Sequence, residues 1–316
     1  MNPDKNWANV VLQVLLHVPS LWAHVLAHAC SSSTRMCPAG ILKKLSSARN
    51  LGPETTWGKE HCDEVFQDLD DTQDALEGLT QVFNAIRDCE GESVSVDRLV
   101  GVGSTRTIED CKGHKSVSPP NFNYGVTLNL SQLKSRTEIQ HLLEQWIAPV
   151  AILNYACKDC PDKVEAKQTT AYFPPPPAVL VVTLGHDSKG PGVHFLQPVF
   201  LPGTEIQYSL CAVIGCNAAK DHYWAVVKKM MDRKPPTWIK ADDKKVTTIL
   251  GSTLENKSYG KAAVVLVYEN VDAALQKLDP EAEKLEVAAE EDLDEVATTA
   301  LNYTQKRSML LYTTTS

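Results

Sequence analysis

The sequence predicts an α+β fold, with helices dominating its first half and strands its second. Two observations predict it. In Gln73–Asp88, Leu76, Leu79, Val82, Phe83 and Ile86 recur at helical spacing. From Ala178 onward the apolar residues fall instead in compact or alternating runs: Ala178–Leu184, Leu210–Gly215, Tyr223–Lys228 and Ala262–Tyr268. The chain has 316 residues, enough for one large domain or two modest ones with a sizeable core.

In chain order, Asn9–Leu16 predicts a short amphipathic helix, and Leu21–Ala29 a second after the break at Pro19-Ser20. Ser31–Thr56 is rich in Ser, Pro and Gly and reads as loop, with a helical patch at Leu42–Ala48. The Gln73–Asp88 helix has Asp70 or Asp71 as its candidate cap. Ser93–Thr107 alternates and ends in glycines, which predicts strands and turns. Tyr124–Leu130 alternates through Val126, Leu128 and Leu130 and predicts a strand; Arg136–Trp146 predicts a helix. Pro174–Pro177 forms a stiff extended entry to the first late strand. Beyond Asn270, Asp279-Pro280-Glu281 is a helix start, and Leu285, Ala289, Leu293 and Val296 form one stripe on an acidic helix. That tail reads as an appendage, a solvated amphipathic helix docking on its own domain.

Composition narrows the function. Apolar residues are 43% and charged residues 22%, ordinary for a globular protein. A net charge of −8 argues against broad nucleic-acid binding and against adhesion to an acidic membrane. No apolar stretch reaches the roughly 18–20 residues of a membrane span. Val10–Val18 followed by Ala27-His28-Ala29 has some features of a signal peptide, but Gln13, His17 and Pro19 interrupt the run. The nine cysteines are an odd set without a repeating framework, which fits a reducing compartment, nucleus or cytoplasm.

The strongest chemical signal lies in four segments. Tyr208-Ser-Leu-Cys-Ala-Val-Ile214 precedes His222-Tyr223; Trp238-Ile-Lys-Ala-Asp242-Asp243 and Ala263-Val-Val-Leu-Val-Tyr268 follow. A histidine base needs a carboxylate to fix its tautomer and orientation. Neighbouring strands would supply one from the aspartates, which open the third run about twenty residues on. Cys111-x-x-His114 and Cys157-x-x-Cys160 have the spacing of two zinc knuckles, fitting a structural Zn2+ between two hairpins. Chance neighbours in loops are the alternative.

These segments resemble the ubiquitin-specific protease family. Its pattern is Tyr-x-Leu-x-Ala-Val-Ile, then His-Tyr, then Trp-x-x-Phe-Asp-Asp, then Ala-Tyr-x-Leu-x-Tyr. Ala241 departs from an aromatic, Val264 from a tyrosine and Asp221 from a glycine. Thr72-Gln73-Asp74-Ala75-Leu76-Glu77 resembles the family's Gln-Gln-Asp-Ala-x-Glu box, with Gly78 where a phenylalanine stands. The resemblance implies that His222 is the general base and Asp242 its orienting partner. Asp243, Tyr223, Gln73 and Asp74 support them. It also puts four metal-binding cysteines where Cys111, His114, Cys157 and Cys160 stand.

The nucleophile departs from the pattern. The family's Asn-Thr-Cys-Tyr-Met-Asn-Ser-Val-Leu-Gln is met here by Asp4-Lys-Asn6-Trp7-Ala-Asn9-Val-Val-Leu-Gln13, which sets Asn6 at the cysteine. Asparagine caps a helix but is no thiolate. Either the nucleophile is lost, or a longer product supplies it. Trp7 and the Asn217–His222 loop bear some likeness to the branch acting on SUMO.

The resemblance implies a papain-like cysteine-protease fold over 1–275, with a thumb at 1–95, zinc-bearing fingers at 96–173 and a palm at 174–275. The acidic tail would be 276–316. The expected function is a pseudo-deubiquitinase that binds ubiquitin or a SUMO-like modifier. The alternatives are an active thiol isopeptidase in a longer isoform, and a zinc-stabilised interaction scaffold.

Overall fold

The computed structural model describes residues 6–30, 37–49, 59–66, 74–90, 96–110, 113–119, 121–131, 133–157, 164–173, 176–185, 191–217, 219, 222–229, 237–242 and 245–271. All belong to one unit, Met1–Val271. The acidic tail lies outside the described residues.

Six helices come first: α1 (Asn6–His17), α2 (Pro19–Ala27), α3 (Pro38–Arg49), α4 (Lys59–Val65), α5 (Ala75–Glu90) and α6 (Val96–Val100). The amphipathic reading of α1 needs correction. Val10, Val11, Leu12, Val14, Leu15 and Leu16 are all at most 1% exposed, and Asn9, Gln13 and His17 are buried with them. A helix covered on every side has no use for a polar face. It ends where Pro19 begins α2, and the two axes diverge by 87°. Proline suits the first turn of a helix, where its missing N–H has no partner to lose.

Helix α3 starts at Pro38, four residues earlier than the sequence predicts, because the same proline effect operates there. Helix α5 buries Leu79, Val82, Phe83 and Ile86 as expected. The candidate caps Asp70 and Asp71 lie outside the described residues. Asp74 Oδ1 accepts from Leu76 N–H at 2.7 Å, in the manner of an N-cap. Residues 96–100 form α6 rather than strand, with Val96 and Val100 buried one turn apart.

The remaining elements are β1 (Val102–Asp110), β2 (Lys115–Val117), β3 (Asn121–Asn123), β4 (Val126–Asn129), β5 (Thr137–Glu138), α7 (Ile139–Ile147), β6 (Val150–Tyr155) and β7 (Val164–Phe173). After them come β8 (Val179–Gly185), β9 (Val193–His194), β10 (Val199–Phe200), β11 (Gln207–Cys216), β12 (Tyr223–Lys228), β13 (Thr237–Asp242), β14 (Lys245–Leu250), α8 (Lys257–Ala262) and β15 (Ala263–Asn270).

Two large sheets result. The smaller has the order β2-β1-β7-β6, with β3 also on β1. The larger runs β14-β13-β12-β11-β15-β8-β4, with β10 on β11. Only β4 pairs in parallel there, with β8. The central strands are buried on both faces, which is why they read as nearly unbroken apolar runs. Val181, Ala212, Ile214, Ala225, Val265 and Val267 join the core beneath the helices. Their alternates Leu180, Val182, Val213, Val226 and Leu266 join a second core with α7.

Candidate active site

His222 immediately precedes β12, and the Asn217 N–H donates to its carbonyl at 3.1 Å, closing the β11–β12 connection. Strand β13 lies beside β12, pairing Ala225 with Ala241. One residue further along, Asp242 reaches His222: Oδ1 is 2.6 Å from Nε2. Asp242 therefore ends its strand, where the sequence reading had the aspartates opening it. Asp243 lies outside the described residues.

Nε2–H donating to Asp242 makes Nδ1 the nitrogen that can accept a proton. Both side chains are about one-third exposed, at 32% and 29%, so the pair is open to solvent. Burial pushes the Asp242 carboxyl upward, but hydrogen bonds from Lys240 and His222 outweigh it and hold the group below its ordinary value.

Lys240 is a site residue the sequence reading missed. Its Nζ lies 2.8 Å from Asp242 Oδ2 and 5.4 Å from the centroid of the Trp224 ring. Each oxygen of Asp242 thus has a cationic or imidazole partner. The period-2 alternation of β13 was the available signal, since it sets residues 240 and 242 on one face.

The two motifs converge. Tyr223 lies beside Asp74 and the Ala75 backbone amide at the start of α5, and burial pushes its phenol up to about 12. Helix α1, which Asn6 opens, packs against β12 and α5. Gln73 lies outside the described residues. Ala241, the departure from an aromatic, is fully packed against Ala225 at 1% exposure.

Of the metal candidates, His114 follows the β1–β2 turn and Cys157 the end of β6; Cys111 and Cys160 lie outside the described residues. Cys157 Sγ is 3.6 Å from His114 Nδ1, and Asp110 Oδ2 is 3.1 Å from the same nitrogen. The three donor atoms lie within 4.8 Å of one another. A thiol, an imidazole and a carboxylate so close fit a zinc-type ion. A second donor group, around His28, escaped the sequence reading because its members are not spaced as knuckles. Elsewhere, burial and the neighbouring Glu269 push the Cys211 thiol up to about 12, so Cys211 is no ready thiolate.

Among the described residues no single helix is long and apolar enough to cross a membrane.

Comparison with solved structures finds the same fold. The chain is similar to a SAGA DUB module, Ubp8/Sgf11/Sus1/Sgf73 bound to monoubiquitin, at 19% identity and a TM-score of 0.64, covering 84% of this chain and 67% of that one. It is similar to the module bound to ubiquitin aldehyde at 16% identity and a TM-score of 0.65, covering 84% and 68%. A yeast SAGA DUB module with an Sgf73 mutant matches at 17% and 0.65, covering 84% and 66%. The fold is thus the papain-like α+β class that the sequence predicts. No curated protein sequence matches the chain. The family model for ubiquitin carboxyl-terminal hydrolases matches residues 5–268. Spanning both the helices and the strands around His222 and Asp242, that match means the chain belongs to the ubiquitin carboxyl-terminal hydrolase family.

Proposed function

We propose that this chain is a deubiquitinase-like domain that binds ubiquitin or a related modifier without cleaving it. The observation behind this reading is a formed base without a thiol at the helix start. His222 and Asp242 are 2.6 Å apart, while Asn6 opens α1. In a thiol isopeptidase, sulfur attacks the modifier's C-terminal carbonyl carbon. The imidazole takes the thiol proton and returns it to the leaving amine. Asn6 offers an amide, which supplies no thiolate. Similarity to modules bound to ubiquitin favours ubiquitin over SUMO as the modifier. Zinc held by His114, Cys157, Cys111 and Cys160 belongs to the same proposal, and would tie the two hairpin ends together. A reducing compartment, nucleus or cytoplasm, suits those thiols.

A ubiquitin vinyl sulfone probe tests the reading. The chain is expected to bind ubiquitin reversibly and to stay unlabelled; covalent labelling would sink the pseudoenzyme reading in favour of an active isopeptidase. Asn6→Cys is expected to become labelled, and adding His222→Ala to abolish that labelling. Neither labelling nor binding, with ubiquitin or SUMO, would leave only a zinc-stabilised scaffold.

A further inference from the structure

We propose that His28, Cys30, Cys37 and Cys89 form a second zinc site, set among the helices and separate from both the His222–Asp242 pair and the hairpin donors. Three helix ends meet there. His28 is the C-cap of α2, and Cys30 follows it. Cys37 directly precedes α3, its carbonyl accepting from Ile41 N–H. Cys89 lies in the last turn of α5.

The four donor atoms all lie within 4.8 Å of one another. Cys30 Sγ is 2.8 Å from Cys89 Sγ, and Cys37 Sγ is 3.0 Å from His28 Nε2. Donors around a tetrahedral zinc sit roughly 3.5–3.8 Å apart, so those pairs need open by about 1 Å or less. Three sulfurs and one imidazole are a zinc ligand set.

The surroundings point the same way. His28 Nδ1 lies 2.9 Å from Glu90 Oε1, and its side chain is fully buried. With the proton on Nδ1, the Nε2 lone pair faces the thiols. A carboxylate behind a histidine is the usual orienting partner of a metal ligand. Glu90 is itself fixed, since Oε2 accepts from Val96 N–H at 3.1 Å and His24 Nε2 lies 2.6 Å from Oε1. Three thiolates around Zn2+ leave one net negative charge. Lys43 Nζ, 2.8 Å from the His28 carbonyl, brings a positive charge to the residue that supplies the imidazole. Thiols serving only as small apolar fillers would not require a buried imidazole braced by a carboxylate.

The test is the zinc content of the full chain, purified under reducing conditions and measured by elemental mass spectrometry. Cys37→Ser and Cys89→Ser are each expected to lose one zinc per chain. Cys37→His, which keeps a ligand, is expected to retain it; Cys157→Ser is expected to lose only the hairpin zinc, and Cys37→Ser added to it to remove one zinc more. Unchanged zinc in both serine variants would overturn the proposal. So would a Cys30–Cys89 disulfide in the wild-type protein. Because a serine variant can fail to fold, cobalt loading of a Cys111→Ser/Cys157→Ser/Cys160→Ser variant, which keeps all four helix-end ligands and removes the hairpin thiols, provides a second readout. Tetrahedral cobalt bands with intense thiolate charge-transfer absorption support the site, and their absence counts against it.

Discussion

At the scale of single residues, Gly78 and Trp7 explain each other. A Cβ on Gly78 would lie 2.3 Å from Trp7 Cε3, and Trp7 is 1% exposed. The indole occupies the space that a phenylalanine at residue 78 would need. Gly78→Ala would ordinarily help a helix by about 1 kcal/mol. Here the ring has nowhere to go, so the overpacking cost of about 1–3 kcal/mol wins. Urea denaturation should show Gly78→Ala less stable than wild type; a higher midpoint would refute the account. Asp242 has a pH signature. Its carboxyl is held low in the fold, so its contribution is present above the unfolded value of about 3.9. It is lost as pH falls through the lower folded value. The stability lost between about pH 5 and pH 2 should therefore be smaller in Asp242→Asn than in wild type. Equal losses in the two proteins would mean that the carboxylate is not held by its partners.

At the scale of elements, the strands differ in what they tolerate. On β11, Val213 and Ile214 face opposite cores and are both fully buried. Val213→Thr and Ile214→Thr each set a hydroxyl in an apolar layer, at a cost of about 1–3 kcal/mol when it finds no partner. On edge strand β14, Val246 is 58% exposed, and Val246→Thr should change stability by less than about 0.5 kcal/mol. Thermal unfolding of the three variants checks this contrast. An equal loss in all three would contradict the burial pattern.

At the scale of the whole molecule, much of the architecture was legible because patterning is local. The late strands announced themselves through unbroken apolar runs, and α5 through its stripe. Order along the chain also let His222 and Asp242 be paired from sequence. What stayed hidden was three-dimensional. Nothing in the spacing of His28, Cys30, Cys37 and Cys89 marks them as neighbours, since three helix ends must first be packed together. Lys240 sits two residues from Asp242, yet its role depends on both the carboxylate and the Trp224 ring beside it. The full burial of α1 was illegible because its cover comes from strands encoded far downstream.

That last feature bears on how the protein is made. Helix α1 leaves the ribosome about 200 residues before β12, against which it packs. Strand β11 pairs with β15, which is synthesised later still. Until those strands emerge, a helix with eight apolar residues in twelve has no sheet to cover it. Contacts this distant in sequence form slowly and leave sticky surface exposed meanwhile. The nascent chain therefore places a long demand on chaperones, and a ribosome stalled before β11 and β12 would release a product with the apolar side chains of α1 uncovered.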